Sequence, residues 1–236
     1  MPKSKRARVV HLSKTDKKGK ELSQKLFANV QEAADKFSYI FVFAVENMRN
    51  TYLKEVRAEF ASDSRIFFGK TKVMAKALGL TPADEHLPNL STLSAHLNGN
   101  VGLFFTNGSP ASILEYFSSY AKTDFARAGI PATQTFTIPS GVVYSRGGEL
   151  PPDDDVPLPH SLEVTVRKWG MPTKLVKGKV VLDGDYTVCR EGEVLNSHQT
   201  ALLKLFGVAM ADFKIEMKAY YSAATETVTE VDAMEE

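Results

Sequence analysis

The residues best placed to do chemistry lie in one stretch. Ile66-Phe67-Phe68 is a short β-prone run, and Gly69-Lys70-Thr71-Lys72 follows it. Val73, Met74 and Ala77 then recur on one side of a helical pattern that Leu78-Gly79 closes. A strand, a glycine turn and a helix start present unpaired backbone N–H groups at the positive end of a helix dipole, which is where anions bind. Lys70, Lys72 and Lys76 add positive charge, and Lys72 and Lys76, four apart, share a helix face. The chemistry expected is phosphate binding through Gly69, Lys70, Thr71, Lys72 and Lys76. Gly69 is expected either to let backbone approach backbone or to supply a positive φ.

The kind of phosphate is the next question. Gly-Lys-Thr after a strand invites a nucleotide-binding P-loop, but the first glycine of that motif falls at position 64, which is Ser64. No partner strand ends in a convincing magnesium-binding Asp; Glu46 and Asp183 are poor substitutes. The residues favour a polyanion. A nucleotide-dependent enzyme using Gly69-Lys70-Thr71 and a solvated helix start without a ligand are the alternatives.

Other constellations are weaker. His11, His86, His96, His160 and His198 are scattered, without HxxxH or HxH spacing for a metal. Ser145 lacks the glycine of a nucleophile elbow two residues before it. Asp153-Asp154-Asp155 is flanked by prolines and finds no fourth ligand, so a solvated loop is expected rather than a cation site. Cys189 is alone, which excludes a disulfide framework and makes a reducing compartment the default. No catalytic residue, metal or cofactor is expected.

The elements that must position the phosphate-binding stretch can be read from periodicity. Leu22, Leu26, Val30, Ala33 and Phe37 mark an amphipathic helix over about 17–36 whose first turns are basic. Tyr39 to Val45 reads as a strand buried on both faces. Asn50 or Thr51 could cap a helix with Leu53, Val56 and Phe60 inward. Ser64 to Gly69 is the next strand, a short helix carries Leu90, Leu93 and Leu97, and Val101 to Thr106 is a further strand. Ser109-Pro110 starts a helix through Ile113, Leu114 and Phe117. After Lys122 prolines multiply and helical periodicity fades, with a hairpin at Thr173–Leu182 around Gly178. Ser197 can cap a helix with Leu202, Leu203 and Phe206, and Phe213 to Tyr221 alternates as a half-buried strand. The fold class expected is an α/β sandwich, discontinuous in sequence, with a small β-rich insert. The divisions are a basic arm 1–20, an α/β domain 21–123 plus 194–221, an insert 124–193, and an acidic disordered tail 222–236.

The chain has 236 residues, 43% apolar and 24% charged, ordinary values for a soluble globular protein. No apolar run approaches the roughly 20 residues that span a bilayer, so no membrane partner is expected. Nor does the basic start lead into an apolar signal region. The net charge of +1 hides a polarity. Residues 1–20 carry eight Lys and Arg against Asp16 alone, while Ser222–Glu236 carries five acids and no base. Such asymmetry is typical of nucleic-acid proteins. Lys5, Arg6 and Arg8, then Lys17, Lys18 and Lys20, have the layout of a nuclear localisation signal, and Lys5, Arg6, Lys17, Lys18 and Lys20 can also grip RNA phosphates.

Several motifs resemble the large-subunit stalk-base ribosomal protein family: Phe68-Gly69-Lys70-Thr71 with Met74, Ala77 and Leu78, the Leu53-x-x-Val56-Arg57 helix, Asn100 to Thr106, and Gly170-Met171-Pro172-Thr173-Lys174. Thr137-Ile138-Pro139-x-Gly141 to Gly148, with the Met-Pro-Lys-Ser-Lys-Arg start, is similar to the mRNA turnover protein 4 family, nuclear paralogues of the acidic stalk protein. The resemblance implies an α/β rRNA-binding domain interrupted by an insert. It implies a ribosome biogenesis factor without enzymatic activity, bound to large-subunit rRNA at the GTPase-associated region of pre-60S particles. There it would hold the place of the mature stalk protein and leave with help from a dual-specificity-phosphatase-like release factor. Carried over by position, Arg57 joins Gly69, Lys70, Thr71, Lys72 and Lys76 as an rRNA contact. The implied setting is nuclear and nucleolar, with shuttling to the cytoplasm on pre-60S particles, and the protein is expected as a monomer among the particle proteins. Because Ser222–Glu236 offers no hydrophobic hook, the chain is not expected to carry the small acidic stalk proteins, which counts against the other alternative, a structural subunit of mature ribosomes.

Overall fold

A computed structural model describes residues 20–231. The expectations for Lys5, Arg6, Arg8, Lys17 and Lys18, and for 232–236, lie outside the described residues. The elements run α1 (Lys20–Lys36), β1 (Tyr39–Glu46), α2 (Asn50–Glu59), β2 (Ser64–Phe67), α3 (Thr71–Leu78), α4 (Leu90–Ala95), β3 (Val101–Thr106), α5 (Pro110–Ser119) and β4 (Ala121–Asp124). Then come β5 (Phe136–Ile138), β6 (Gly141–Val142), α6 (Glu163–Lys168), β7 (Thr173–Val176), β8 (Lys179–Leu182), β9 (Tyr186–Cys189), α7 (Ser197–Phe206), β10 (Ala211–Ser222) and β11 (Thr227–Glu230). One sheet has the order β11-β10-β1-β3-β2 with β4 also on β10; smaller sheets are β5-β9 and β6-β8-β7. The fold is mixed α/β with a second set of short strands, as the sequence pattern implies. Among the described residues no helix is long and apolar enough to cross a membrane.

Two compact units divide the chain. Of the described residues, the first holds those up to Phe43, Asp63–Gly108 and those from Lys218. In it β2 pairs antiparallel with β3, Ser64 opposite Thr106 and Phe67 opposite Leu103. All six residues of β3 are buried, so the strand expected at Val101 to Thr106 is covered on both faces. Phe41 packs against Phe104 with ring centres 6.1 Å apart. β10 and β11 form a hairpin with Tyr221 opposite Val228. That corrects the expectation of a disordered tail from 222: Thr227, Val228 and Thr229 are stiff, β-favouring residues, and backbone pairing outweighs the acidic composition.

The second unit holds Ala44–Ser62 and Ser109–Met217. α2 starts after Arg49 and not after an Asn50 or Thr51 cap; the Arg49 guanidinium has no acceptor to offer the first N–H groups of the helix and pairs instead with Asp124 at 3.0 Å. β4 pairs antiparallel with β10, Ala211 opposite Asp124. A separate apolar cluster gathers Phe136, Ile138, Val166, Met171, Val180, Leu182 and Val188 with Leu202, Leu203 and Phe206. The sequence pattern assigns the whole stretch 194–221 to the first sheet. β10 does take its place there, but α7 packs in the cluster of the short strands, with Phe206 against Phe136 at 6.1 Å. The cap of α7 is Asn196, not Ser197: its carboxamide oxygen accepts from His198 N and Gln199 N, and Gln199 reaches back to Asn196 N. α6 is not foreseen by periodicity, since six residues are too few to show a helical period.

Candidate nucleic-acid interface

The candidate site is built by β2, α1 and α3. Ile66 and Phe67 are buried and fix the end of β2, while Phe68 stacks on Phe43 with ring centres 6.2 Å apart. The chain then needs only Phe68, Gly69 and Lys70 to enter α3. Met74, Ala75, Ala77 and Leu78 are buried along α3, and burying Met74 and Leu78 contributes about 1.5–3 kcal/mol each. This apolar stripe turns Lys72 and Lys76 outward, and both are exposed. α1 packs along α3, and Gln31 Nε2 donates to Ala77 O at 3.4 Å.

The start of α3 is open. Lys70 occupies the cap position in an extended conformation and makes no side-chain cap bond. Its carbonyl accepts from Val73 N at 2.9 Å and Met74 N at 3.1 Å, so the N–H groups of Thr71 and Lys72 have no acceptor within the helix. Lys70 Nζ donates to Ser23 Oγ on α1 at 3.3 Å, which ties the cap lysine to the neighbouring helix. Among the described residues no carboxylate pairs with Lys70, Lys72 or Lys76. The result is a helix dipole end and three cations on one exposed face, the arrangement expected for an anion site.

Gly69 is exposed, and its φ is not in the left-handed region. A Cβ at this position would stand 2.9 Å from Leu26 Cδ2. The close approach is therefore to a side chain of α1, not to backbone, and the alternative of a positive φ does not apply. Sequence reasoning misses Ser23 and Leu26 as site residues; the available signal is the basic start of α1, which speaks only of charge. Leu22, one turn earlier, is 52% exposed, so this end of α1 offers apolar surface beside the lysines.

The nucleotide alternative fails on geometry. Ser64, where a P-loop needs its first glycine, lies inside β2, paired with Thr106 and donating to Thr106 Oγ1 at 2.9 Å. A three-residue connection cannot wrap a triphosphate. Of the acidic triplet, Asp153 and Asp154 are exposed, while Asp155 accepts from Ser145 Oγ at 2.5 Å, Arg146 N at 2.8 Å and Val156 N at 2.7 Å, which pins the Tyr144–Gly148 loop. Desolvation works to raise the pKa of Asp155, but these hydrogen bonds outweigh it and hold the carboxyl below its usual value. Burial pushes the Cys189 thiol up, so it is an inert core residue.

The structure thus brings Gly69, Lys70, Thr71, Lys72 and Lys76 onto one surface, near the α1 start where Lys20 is exposed. Arg57 belongs to the second unit, exposed in the last turn of α2.

Comparison with known proteins identifies the family. The family described as ribosomal protein L10 matches residues 18–122. A second model, described as the insertion domain in the 60S ribosomal protein of that same family, matches residues 126–208. The chain is similar to ribosome assembly factor mrt4 of Neurospora crassa, 51% identical over 98% of this chain and 94% of that protein. It is also 53% identical to ribosome assembly factor mrt4 of Schizosaccharomyces pombe, over 94% of this chain and 92% of that one. With such identity along nearly its whole length, the chain belongs to the Mrt4 family of ribosome assembly factors, built on the L10 fold with its insertion domain.

Proposed function

We propose that this protein is a non-enzymatic ribosome assembly factor that binds large-subunit rRNA at the stalk base of pre-60S particles. The observation that carries the reading is the uncapped start of α3, with Lys70, Lys72 and Lys76 exposed around it and no carboxylate among the described residues to neutralise them. A face of this kind suits RNA phosphates. The relatives' names support the setting, and the match to ribosomal protein L10 supports the location. Two proteins presenting the same fold and the same helix start to one set of phosphates exclude each other. The chain therefore holds the site until the mature stalk protein takes it, and a dual-specificity-phosphatase-like factor assists its release. The basic arm serves nuclear import, and the protein works in the nucleolus as a monomer within the particle.

Competition tests this. The protein and the mature stalk protein, titrated onto one stalk-base rRNA fragment, should each raise the other's apparent Kd in proportion to concentration. A ternary complex of both proteins on that fragment, seen by native mass spectrometry, would contradict the placeholder role.

A further inference from the structure

We propose that the second unit carries its own site for a single RNA nucleotide, formed where the starts of α2 and of the Phe125–Ala128 segment meet α7. A cleft of about 560 Å³ opens there, lined by Arg49, Asp124, Phe125, Arg127 and Lys204. This is within the range of about 300–1,000 Å³ typical of small-ligand sites. Three cations from distant parts of the chain converge on one concavity that has a single carboxylate. That carboxylate is already engaged: Asp124 Oδ2 lies 3.0 Å from Arg49 Nε and Asp124 Oδ1 accepts from Phe125 N at 2.6 Å. Arg49 also donates to the Phe125 carbonyl, which fixes the guanidinium at the edge of the cleft. Among the described residues Arg127 and Lys204 have no carboxylate partner, and both are exposed.

Two uncompensated cations held beside a third repel one another, and the two phosphates that flank a bound nucleotide relieve that repulsion. Ala126, Ala128 and Ala201 line the remainder with small side chains and leave the volume open. Half-buried Phe125 adds an aromatic surface on which a base can stack, the pairing of basic and aromatic groups that holds single-stranded RNA. A peptide fits less well. It needs acceptors for its N–H groups, while the lining carries three cations and one carboxylate that Arg49 and Phe125 N already engage. This inference rests on the RNA-binding reading above, but it uses none of the residues of the α3 face.

The experiment uses the full chain and the stalk-base rRNA fragment. R127A/K204A should flatten the plot of log K against log salt by about 1.4–1.8, as expected for two lost phosphate contacts, while R127K/K204R keeps the wild-type slope. Because both side chains are exposed, the thermal melts should stay together; if the double variant does not fold, R127Q alone should flatten the slope by half as much. Photocrosslinking with 4-thiouridine RNA should mark the peptide containing Phe125. Wild type without RNA affinity overturns both the RNA reading and this site. A slope flattened by the α3 lysine variants but untouched by R127A/K204A overturns this site alone. So does a phosphoserine peptide whose binding needs Arg127 and Lys204 while the RNA slope does not.

Discussion

The starts of α3 and α7 are two helix N-termini with opposite treatment. At α7 the donors are satisfied from within: Asn196 and Gln199 form a reciprocal capping box, and Gln199 Nε2 goes on to bond Val188 O at 2.9 Å and Glu193 at 2.8 Å. At α3 the cap residue is Lys70, whose side chain offers no acceptor. A lysine is the wrong residue for a cap and the wrong charge for the positive end of a helix. One terminus is completed for stability and the other is left for a ligand. Departure from local preference at a position with no internal compensation marks function.

The widest separation between the two should come from the core beneath α7. Phe206→Ala removes a fully buried ring from the insert cluster and should cost about 3–5 kcal/mol in denaturant unfolding. A cost of under about 1 kcal/mol would place α7 outside that cluster. Gly69→Glu should act on the other terminus. It drives a side chain toward Leu26 and puts a negative charge among the lysines, so rRNA affinity should fall by about 2 kcal/mol, more than for Lys70→Ala. Unchanged affinity in a filter-binding titration would show that the turn does not face RNA.

Exchanging the cap chemistry sharpens the contrast. Asn196→Ala should lose about 1 kcal/mol of stability and leave RNA binding alone. Lys70→Asp should do the reverse, gaining about 0.5–1 kcal/mol while weakening RNA binding. A destabilised Lys70→Asp protein would mean that the α3 start is already satisfied.

How much of this is legible in the sequence depends on where the partners lie. β1, β10 and α3 can be read because their signals are local: an unbroken apolar run, strict alternation, a helical stripe. The Arg49 cap position cannot, since its partner Asp124 is remote in the sequence. The α7 box is visible in Asn196-x-x-Gln199, but Ser197 competes for the same role. β11 is hidden by acidic composition, although its β-branched triplet is in plain view. In the site, the cations are legible and the reason for Gly69 is not, because Leu26 approaches from another helix.

The smallest effect concerns pH. Asp155 has a lowered folded-state pKa, so its contribution is full above the unfolded carboxyl value of about 3.9 and is lost as pH falls through the folded value. Protection of the Arg146 and Val156 amides, taken relative to their intrinsic exchange rates, should therefore fall only below about pH 4, and Asp155→Asn should show low protection already at neutral pH. Protection that is the same in both proteins would remove Asp155 from the role of holding this loop.

The central claim is that the open start of α3 meets RNA phosphates. Its most direct test is the salt dependence of K70A/K72A/K76A on a purified stalk-base rRNA fragment. The variant should fold as the wild type does, since all three lysines are exposed, and should flatten log K against log salt by about 2–3. A slope equal to that of the wild type would contradict the account.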